Sequence, residues 1–398
     1  MQKSAVDAEP LNVEIAREAL TVLAQLVAFD TTSSDTNLSL IAYVENYLAA
    51  HGVSSKRIAN AAGTKANLVA TVGPGTDGGV VLSGHTDVVP VTNQPWSSDP
   101  FQLTRRGDRL YGRGTSDMKS FIALAMAAVP ALQRAPLQRP VHLAFSYDEE
   151  IGCLGAPHLI QHIVDSGYRP LATIVGEPTS MTIVNSHKSI HFYELVIRGR
   201  EAHSSLVHEG VSANMIAIDL LAILSRIAKA EQQHHRDARF EPEWSTLTVG
   251  MIHGGTAANI LARECRFVFD LRCIPGRDAE QVLKDFWDAV ADADAKLKAA
   301  GADMGIAVRA LAEVPGLRYE KNGAAEKLCA KLQGLEDEGT AVPYGAEAGQ
   351  FQAAGFSTVI CGPGSIAQAH KPDEFIEVSQ IEAGARFMSR LVDFVRTQ

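Results

Sequence analysis

Apolar positions along the chain change period twice, and the changes mark out its organisation. Residues 11–27 repeat at helical spacing and predict an amphipathic helix. From residue 79, short buried-strand runs alternate with helical segments: strand at 79–83, helix at 120–132, strand at 141–146, helix at 156–164, strand at 171–175. Such alternation predicts an α/β domain, a mainly parallel sheet with helices on both faces. Beyond His187 the rhythm differs. Residues 190–196 alternate apolar and polar side chains, 212–231 form a long amphipathic helix, 246–252 and 265–271 are alternating strands, 279–299 is helical, and 306–312 is strand-like. The order β-α-β-β-α-β is the split-βαβ or ferredoxin-like arrangement, an α+β domain. Residues 188–313 are therefore read as an insertion into a domain built from 1–187 and 314–398. After Pro315 the α/β character returns, with a helix at 324–335, a strand at 356–361 and a closing helix at 378–397.

Composition narrows the partners. Hydrophobic residues are 46% of the 398 positions and charged residues 21%, enough apolar surface for large cores. A formal net charge of −10 disfavours nucleic acid as a partner. The longest apolar run, 121–132, contains Pro130 and falls well short of the roughly 20 residues a membrane-crossing helix needs, so no membrane partner is expected. The first 26 residues carry acidic side chains and lack the apolar core of a signal peptide. Five cysteines without CxxC spacing argue against a disulfide framework, and a reducing, cytoplasmic setting is expected.

The chemistry concentrates where strand-like runs end. The run 79–84 leads into His85-Thr86-Asp87, 141–147 into Asp148-Glu149-Glu150, 171–176 into Glu177, and 356–362 towards His370. Asp117 follows Gly112-Arg113-Gly114 and opens a helix. Each group alone is an ordinary turn or surface feature. Most of them follow apolar runs on one predicted sheet edge, and open α/β sheets bind ligands outside the carboxyl ends of their strands. Imidazoles with carboxylates suit zinc, cobalt or manganese, and two histidines with three carboxylates can hold two ions if one carboxylate is shared. Other chemistries find little support. Gly73-Pro74-Gly75 lacks the Lys-Ser/Thr of a phosphate loop. No GxSxG elbow occurs. Cys153 has no evident base. His234-His235 read as a polar loop pair, and His253 as a strand-end residue.

The segments SGHTDVVP (83–90), GRGTSDMKS (112–120), SYDEEIGC (146–153), GEPT (176–179) and GPGSIAQAHKPDEF (362–375) resemble the M20 metallopeptidase family over nearly the whole chain. GEPT and the last segment are similar to its acetylornithine deacetylase branch, although Ser189 after His187-Lys188 stands where many of that branch have glycine. The resemblance implies a metal-dependent amidohydrolase acting on a small N-acyl amino acid, in arginine biosynthesis if the branch holds. Within the same family the alternatives are a succinyl-diaminopimelate desuccinylase, an aminoacylase or a carboxypeptidase. Outside it, the alternative is a catalytically silent binding protein of the same fold.

The resemblance also implies roles. His85, Asp117 and Glu177 would hold one divalent ion, and Asp117, Glu150 and His370 the other. Zn²⁺ is expected, with Co²⁺ as the alternative. Glu149 would be the general base, outside the ligand set because a carboxylate bound to both ions could not shuttle a proton. Asp87 would sit behind His85 and fix its tautomer. A non-proline cis peptide would join Asp117 to Met118. His203, in GREAHSS (199–205), would reach a partner subunit's site and stabilise the oxyanion, which implies a homodimer through the inserted domain. Asn259, in GGTAANI, and Arg272, in DLRCIPG, would bind the substrate α-carboxylate as that domain closes like a lid. Glu347, in YGAEAGQF, is either a partner for a cationic substrate tail such as the ornithine δ-ammonium or an exposed loop acid.

Overall fold

The computed structural model describes residues 9–334 and 339–397, so residue 335 of the expected helix at 324–335 lies outside the described residues. The chain divides into two compact units. The larger comprises Met1–Ser186, Tyr319–Thr340 and Ala346–Gln398; the smaller comprises His187–Arg318 and Ala341–Gly345.

Along the first part of the chain run α1 (Leu11–Val27), α2 (Leu38–Ala50), β1 (Ser55–Ala59), β2 (Ala66–Val72), β3 (Val80–His85), β4 (Thr104–Arg106), β5 (Arg109–Tyr111), α3 (Lys119–Arg134), β6 (Val141–Ser146), α4 (Ala156–Asp165), β7 (Ala172–Pro178) and β8 (Val184–His187). The next six elements are β9 (Ile190–Arg198), α5 (Ala213–His234), β10 (Thr246–Gly254), β11 (Glu264–Arg272), α6 (Ala279–Ala300) and β12 (Gly305–Val314). The last part adds α7 (Ala324–Gln333), β13 (Thr340–Val342), α8 (Ala348–Ala353), β14 (Thr358–Gly362), β15 (Phe375–Glu377) and α9 (Val378–Val395).

The large sheet has the order β1-β2-β6-β3-β7-β14-β8-β13. Its centre, β6-β3-β7-β14, is parallel, and β2 and β8 join it antiparallel. Side chains alternate between its faces. Leu68, Ala70, Val80, Leu82, Leu143, Phe145, Ile174 and Val359 join one apolar core with α1, α3 and α9. The opposite face carries Asn67, Ser83, His142, Ser146 and Thr173, all buried, and α4 and α8 pack on that side. Helices therefore cover both faces, as the alternation predicts.

α3 is buried on nearly every side from Lys119 to Leu132, as expected of a helix central to a core rather than at its surface. It runs through Pro130 near its end, where the missing N–H costs only one of the last helical bonds. Gly176 lets α3 pack tightly against the sheet: a Cβ there would fall 1.9 Å from the Phe121 ring. Among the described residues no helix is long and apolar enough to cross a membrane.

The smaller unit is a four-stranded sheet of order β10-β11-β9-β12, antiparallel throughout. With α5 and α6 between the strands, this is the ferredoxin-like order. Tyr193, Leu195, Ile197, Phe267, Phe269 and Leu271 point to the helices and form a separate core with Leu220, Leu224, Leu283 and Phe286. Asp278 caps α6 by accepting from the Glu280 N–H at 2.9 Å.

Candidate metal centre

The carboxyl ends of the parallel strands place the site. His85 ends β3 and is 1% exposed. Its Nδ1 lies 2.9 Å from the Asp87 carbonyl oxygen. A carbonyl only accepts, so Nδ1 carries the proton and the Nε2 lone pair is left for a metal. Nε2 stands 3.0 Å from Asp117 Oδ1 and 3.9 Å from Glu177 Oε2. Asp117 lies in the turn before α3, and its peptide bond to Met118 is cis. Its second oxygen, Oδ2, is 3.5 Å from His370 Nε2, which is itself 3.0 Å from Glu150 Oε2. The two oxygens of one carboxylate thus face two different histidines, the arrangement a shared ligand requires.

Glu149 and Glu150 follow β6, and their main chain is held by Asp87. One Asp87 oxygen accepts from the Glu149 N–H at 3.1 Å, and the other from the Glu150 N–H at 3.3 Å and the Ser33 hydroxyl at 2.7 Å. Asp87 was expected to fix the His85 tautomer with its carboxylate. That carboxylate is 3.7 Å from Nδ1, and the main-chain carbonyl makes the bond instead. The carboxylate is occupied in aiming the acidic pair. The neighbouring Asp148 pairs with Lys65. Glu149 Oε1 takes a hydrogen bond from the Cys153 thiol at 3.2 Å. His85, Glu149 and Glu177 offer ligand atoms within 4.8 Å of one another, as do His85, Asp117 and Glu150.

Electrostatics shows what the cluster lacks. Burial raises the carboxyl pKa of Glu149, Glu150 and Glu177, and the negative charges packed beside them raise it further. Burial would lower His85, but the Asp117 and Glu177 carboxylates outweigh it and hold the ring well above its ordinary value. Hydrogen bonds to Asp117 and Glu150 push His370 up to about 10. Burial works against an ionised Asp117, yet the two histidines keep it below the usual range. Glu177 Oε1 is buried with no hydrogen-bond partner. An orphaned carboxylate oxygen among crowded acids calls for positive charge, and nitrogen with carboxylate oxygen is the donor set of zinc-type divalent ions. The residues fit two such ions with Asp117 between them.

Residues 81–393 match Peptidase family M20/M25/M40. The chain belongs to this family. An acetylornithine deacetylase of Proteus mirabilis (strain HI4320) is 33% identical over 387 residues, covering 96% of each chain. Another, of Myxococcus xanthus, is 34% identical over 382 residues, 93% of this chain and 95% of its own. Among solved structures, an M20 family metallo-carboxypeptidase from Sulfolobus solfataricus superposes with a TM-score of 0.75 at 18% identity, over 95% of this chain and 99% of that one. A dinuclear metal-binding M20 peptidase of Bacillus subtilis gives a TM-score of 0.65 at 16% identity, over 96% and 99%. At those identities the structures speak for the fold alone. As a member of the M20 family the chain is a hydrolase that works with divalent metal ions.

In this M20 hydrolase three anticipated site residues, His203, Asn259 and Arg272, lie on the smaller unit. His203 and Asn259 are exposed neighbours: the Ser204 N–H donates to the Asn259 carbonyl at 2.9 Å, and His203 bridges to Ile260. Both lie beyond the start of β11. Arg272 is that strand's last residue, and eight steps of about 3.4 Å put it roughly 27 Å from Glu264 at the other end. Asn259 and Arg272 of one chain therefore do not meet at one carboxylate. The Arg272 Nε donates to both Asp270 oxygens, at 2.9 and 3.0 Å, and its guanidinium lies over the Phe192 ring.

Glu347 lies in the turn before α8, but it is not an exposed acid. It is 1% exposed, with Ser83 Oγ donating to one oxygen at 2.6 Å and Ser146 Oγ to the other at 2.7 Å. These two bonds tie Glu347 to β3 and β6, the strands that lead to His85 and the acidic pair. Sequence reasoning missed Glu374, Lys65, Ser33 and Cys153 as parts of the site. Glu374 stands inside the 362–375 segment, four residues after His370, but only the folded loop shows what it binds.

Proposed function

We propose that this chain is an acetylornithine deacetylase, hydrolysing N-acetyl-L-ornithine to L-ornithine and acetate. In this reading it is a cytoplasmic homodimer, with two Zn²⁺ as the resident ions. The observation that carries the proposal is the sharing of Asp117 between His85 and His370 with Glu149 alongside. Relatives of that name at 33% and 34% identity, covered almost end to end, support the substrate.

His85, Asp117 and Glu177 would hold one ion, and Asp117, Glu150 and His370 the other. When bound, such a pair would polarise the scissile carbonyl and acidify the attacking water towards neutrality. Glu149 would take the water's proton and pass it to the departing amine. Burial and neighbouring acids raise the affinity of Glu149 for a proton, as a base working near neutral pH needs. One of its oxygens accepts from the Cys153 thiol, which leaves the other available to accept that proton. Arg272, steadied by Asp270 and Phe192, presents its terminal nitrogens to the substrate α-carboxylate.

The distance along β11 supports the role expected of the inserted domain, residues 188–313, in dimerisation and closure. One small substrate cannot touch Arg272 and the His203–Asn259 pair of the same chain. A second copy would bring His203 to the scissile carbonyl, where stabilising the oxyanion is worth about 3 kcal/mol, with Asn259 beside it.

A second reading, an N-acyl amino acid with a neutral side chain, is favoured by Glu347, whose oxygens are engaged by serines rather than offered to a cation. Turnover of N-acetyl-L-ornithine, N-acetyl-L-methionine and N-succinyl-diaminopimelate with added Zn²⁺ or Co²⁺ separates the readings. The highest kcat/KM is expected for N-acetyl-L-ornithine. An equal or higher value for N-acetyl-L-methionine overturns the ornithine assignment, and a metal-loaded protein inert on all three overturns the hydrolase itself.

A further inference from the structure

Two loops carry ligands that no regular strand supports. Residues 112–118 bring Asp117, and residues 364–374 bring His370. The side chain that joins them is Glu374, 1% exposed. Its Oε1 accepts from the Ser116 N–H at 2.8 Å and the Asp117 N–H at 3.1 Å. Its Oε2 accepts from the Gly114 N–H at 3.0 Å and from Arg113 Nη1 at 2.9 Å. Four donors on two oxygens satisfy a buried carboxylate, and three of them are main-chain groups of the loop that ends in the shared ligand.

Further bonds bind the same two loops. The Gly112 N–H donates to the Glu374 carbonyl at 3.0 Å. The Ser116 hydroxyl donates to the Ser365 carbonyl at 3.1 Å and accepts from the Ser365 N–H at 3.0 Å. That contact requires Gly364, with φ +85°, since a Cβ there would come 2.5 Å from Ser116 Oγ. Arg113, also 1% exposed, reaches on to the Lys371 carbonyl at 3.2 Å, and Gln94 donates to the His370 carbonyl at 3.0 Å.

We propose that Glu374 is a positioning residue for the metal pair: it fixes the Asp117 loop against the His370 loop, and so sets the ion site formed by Asp117, Glu150 and His370. This rests on the two-ion reading above. The other site depends on it less, because His85 and Glu177 stand on strands β3 and β7, held by the sheet itself. Glutamine cannot substitute. It offers one acceptor oxygen, and its NH₂ would face two of the four donors.

The test is a titration of metal-free Glu374→Gln and unaltered protein with Co²⁺, followed by calorimetry and by the visible absorption of the bound ion. The unaltered protein is expected to take two ions. In the variant the first should bind nearly as before and the second about 10–100-fold more weakly, with a changed Co²⁺ spectrum. Glu374→Asp keeps the charge but falls one methylene short, and replaces the glutamine variant if that does not fold. A loss in the same direction is expected from it. A folded variant that binds both ions with unaltered affinities and spectra overturns the proposal. Unaltered protein that takes fewer than two ions overturns instead the two-ion reading on which it rests.

Discussion

Two groups of buried or half-buried carboxylates lie in the larger unit, and they are treated in opposite ways. Glu374 meets four donors on its two oxygens, and Glu347 meets two hydroxyls. Around His85 four acids crowd together, and Glu177 keeps an oxygen with no partner at all. Burying a charge without partners is costly, so a fold retains such a cluster only where something else supplies the opposite charge. Satisfied acids hold the loops and strands in place. Unsatisfied acids are the ones left for ions.

The largest test of that division separates two neighbours on one turn. Glu149→Gln should keep both ions and lose turnover by about 10²–10⁴-fold, because the proton carrier is gone while the ligands remain. Activity assays with metal analysis of the same sample check this. A nearly active variant, or one depleted of metal, would move Glu149 out of the role of base.

A smaller effect should appear in stability. Glu149, Glu150, Glu177, His85 and His370 all have their folded pKa raised. A raised folded pKa gives stability that is present below the unfolded value and lost as pH climbs through the folded one. For His370 that window runs from 6.5 to about 10. Metal-free protein should therefore melt at lower temperature as pH rises from about 6 to about 9, and the gap to metal-loaded protein should widen. Burial raises Glu374 too, against the pull of Arg113, but Glu374 is no proposed ligand, so its contribution should cancel in the gap. Thermal melts at several pH values measure it, and a gap that is constant or shrinks with pH contradicts the assignment.

Much of the site is legible in the sequence because strands announce their ends. Apolar runs closing in His85, Glu149-Glu150 and Glu177 need only the rule that parallel strands gather at one edge. β7 runs on to Pro178, where β14 pairs with it, so Glu177 stands on the strand itself rather than after it. The antiparallel order of β9 to β12 is likewise readable from alternation and connection. What escapes is whatever depends on groups meeting across the chain. Residues 38–72 gave no assignment, yet they hold α2, β1 and β2, and β2 lies beside β6 with its direction reversed. An acid in a segment such as YGAEAGQF looks like a loop residue until Ser83 and Ser146 are seen closing on it. The Asp87 carbonyl cannot be told from its carboxylate as the partner of His85 by any sequence pattern. Glu374 looks like a turn residue, because its partners are backbone N–H groups more than 250 positions away.

The central claim is that Asp117 is shared between two divalent ions. Anomalous diffraction from crystals of the protein equilibrated with Zn²⁺ locates them directly. Two peaks about 3.5–4 Å apart are predicted, one beside His85 and Glu177, the other beside Glu150 and His370, with one Asp117 oxygen on each. A single peak, or peaks away from Asp117, would contradict the account.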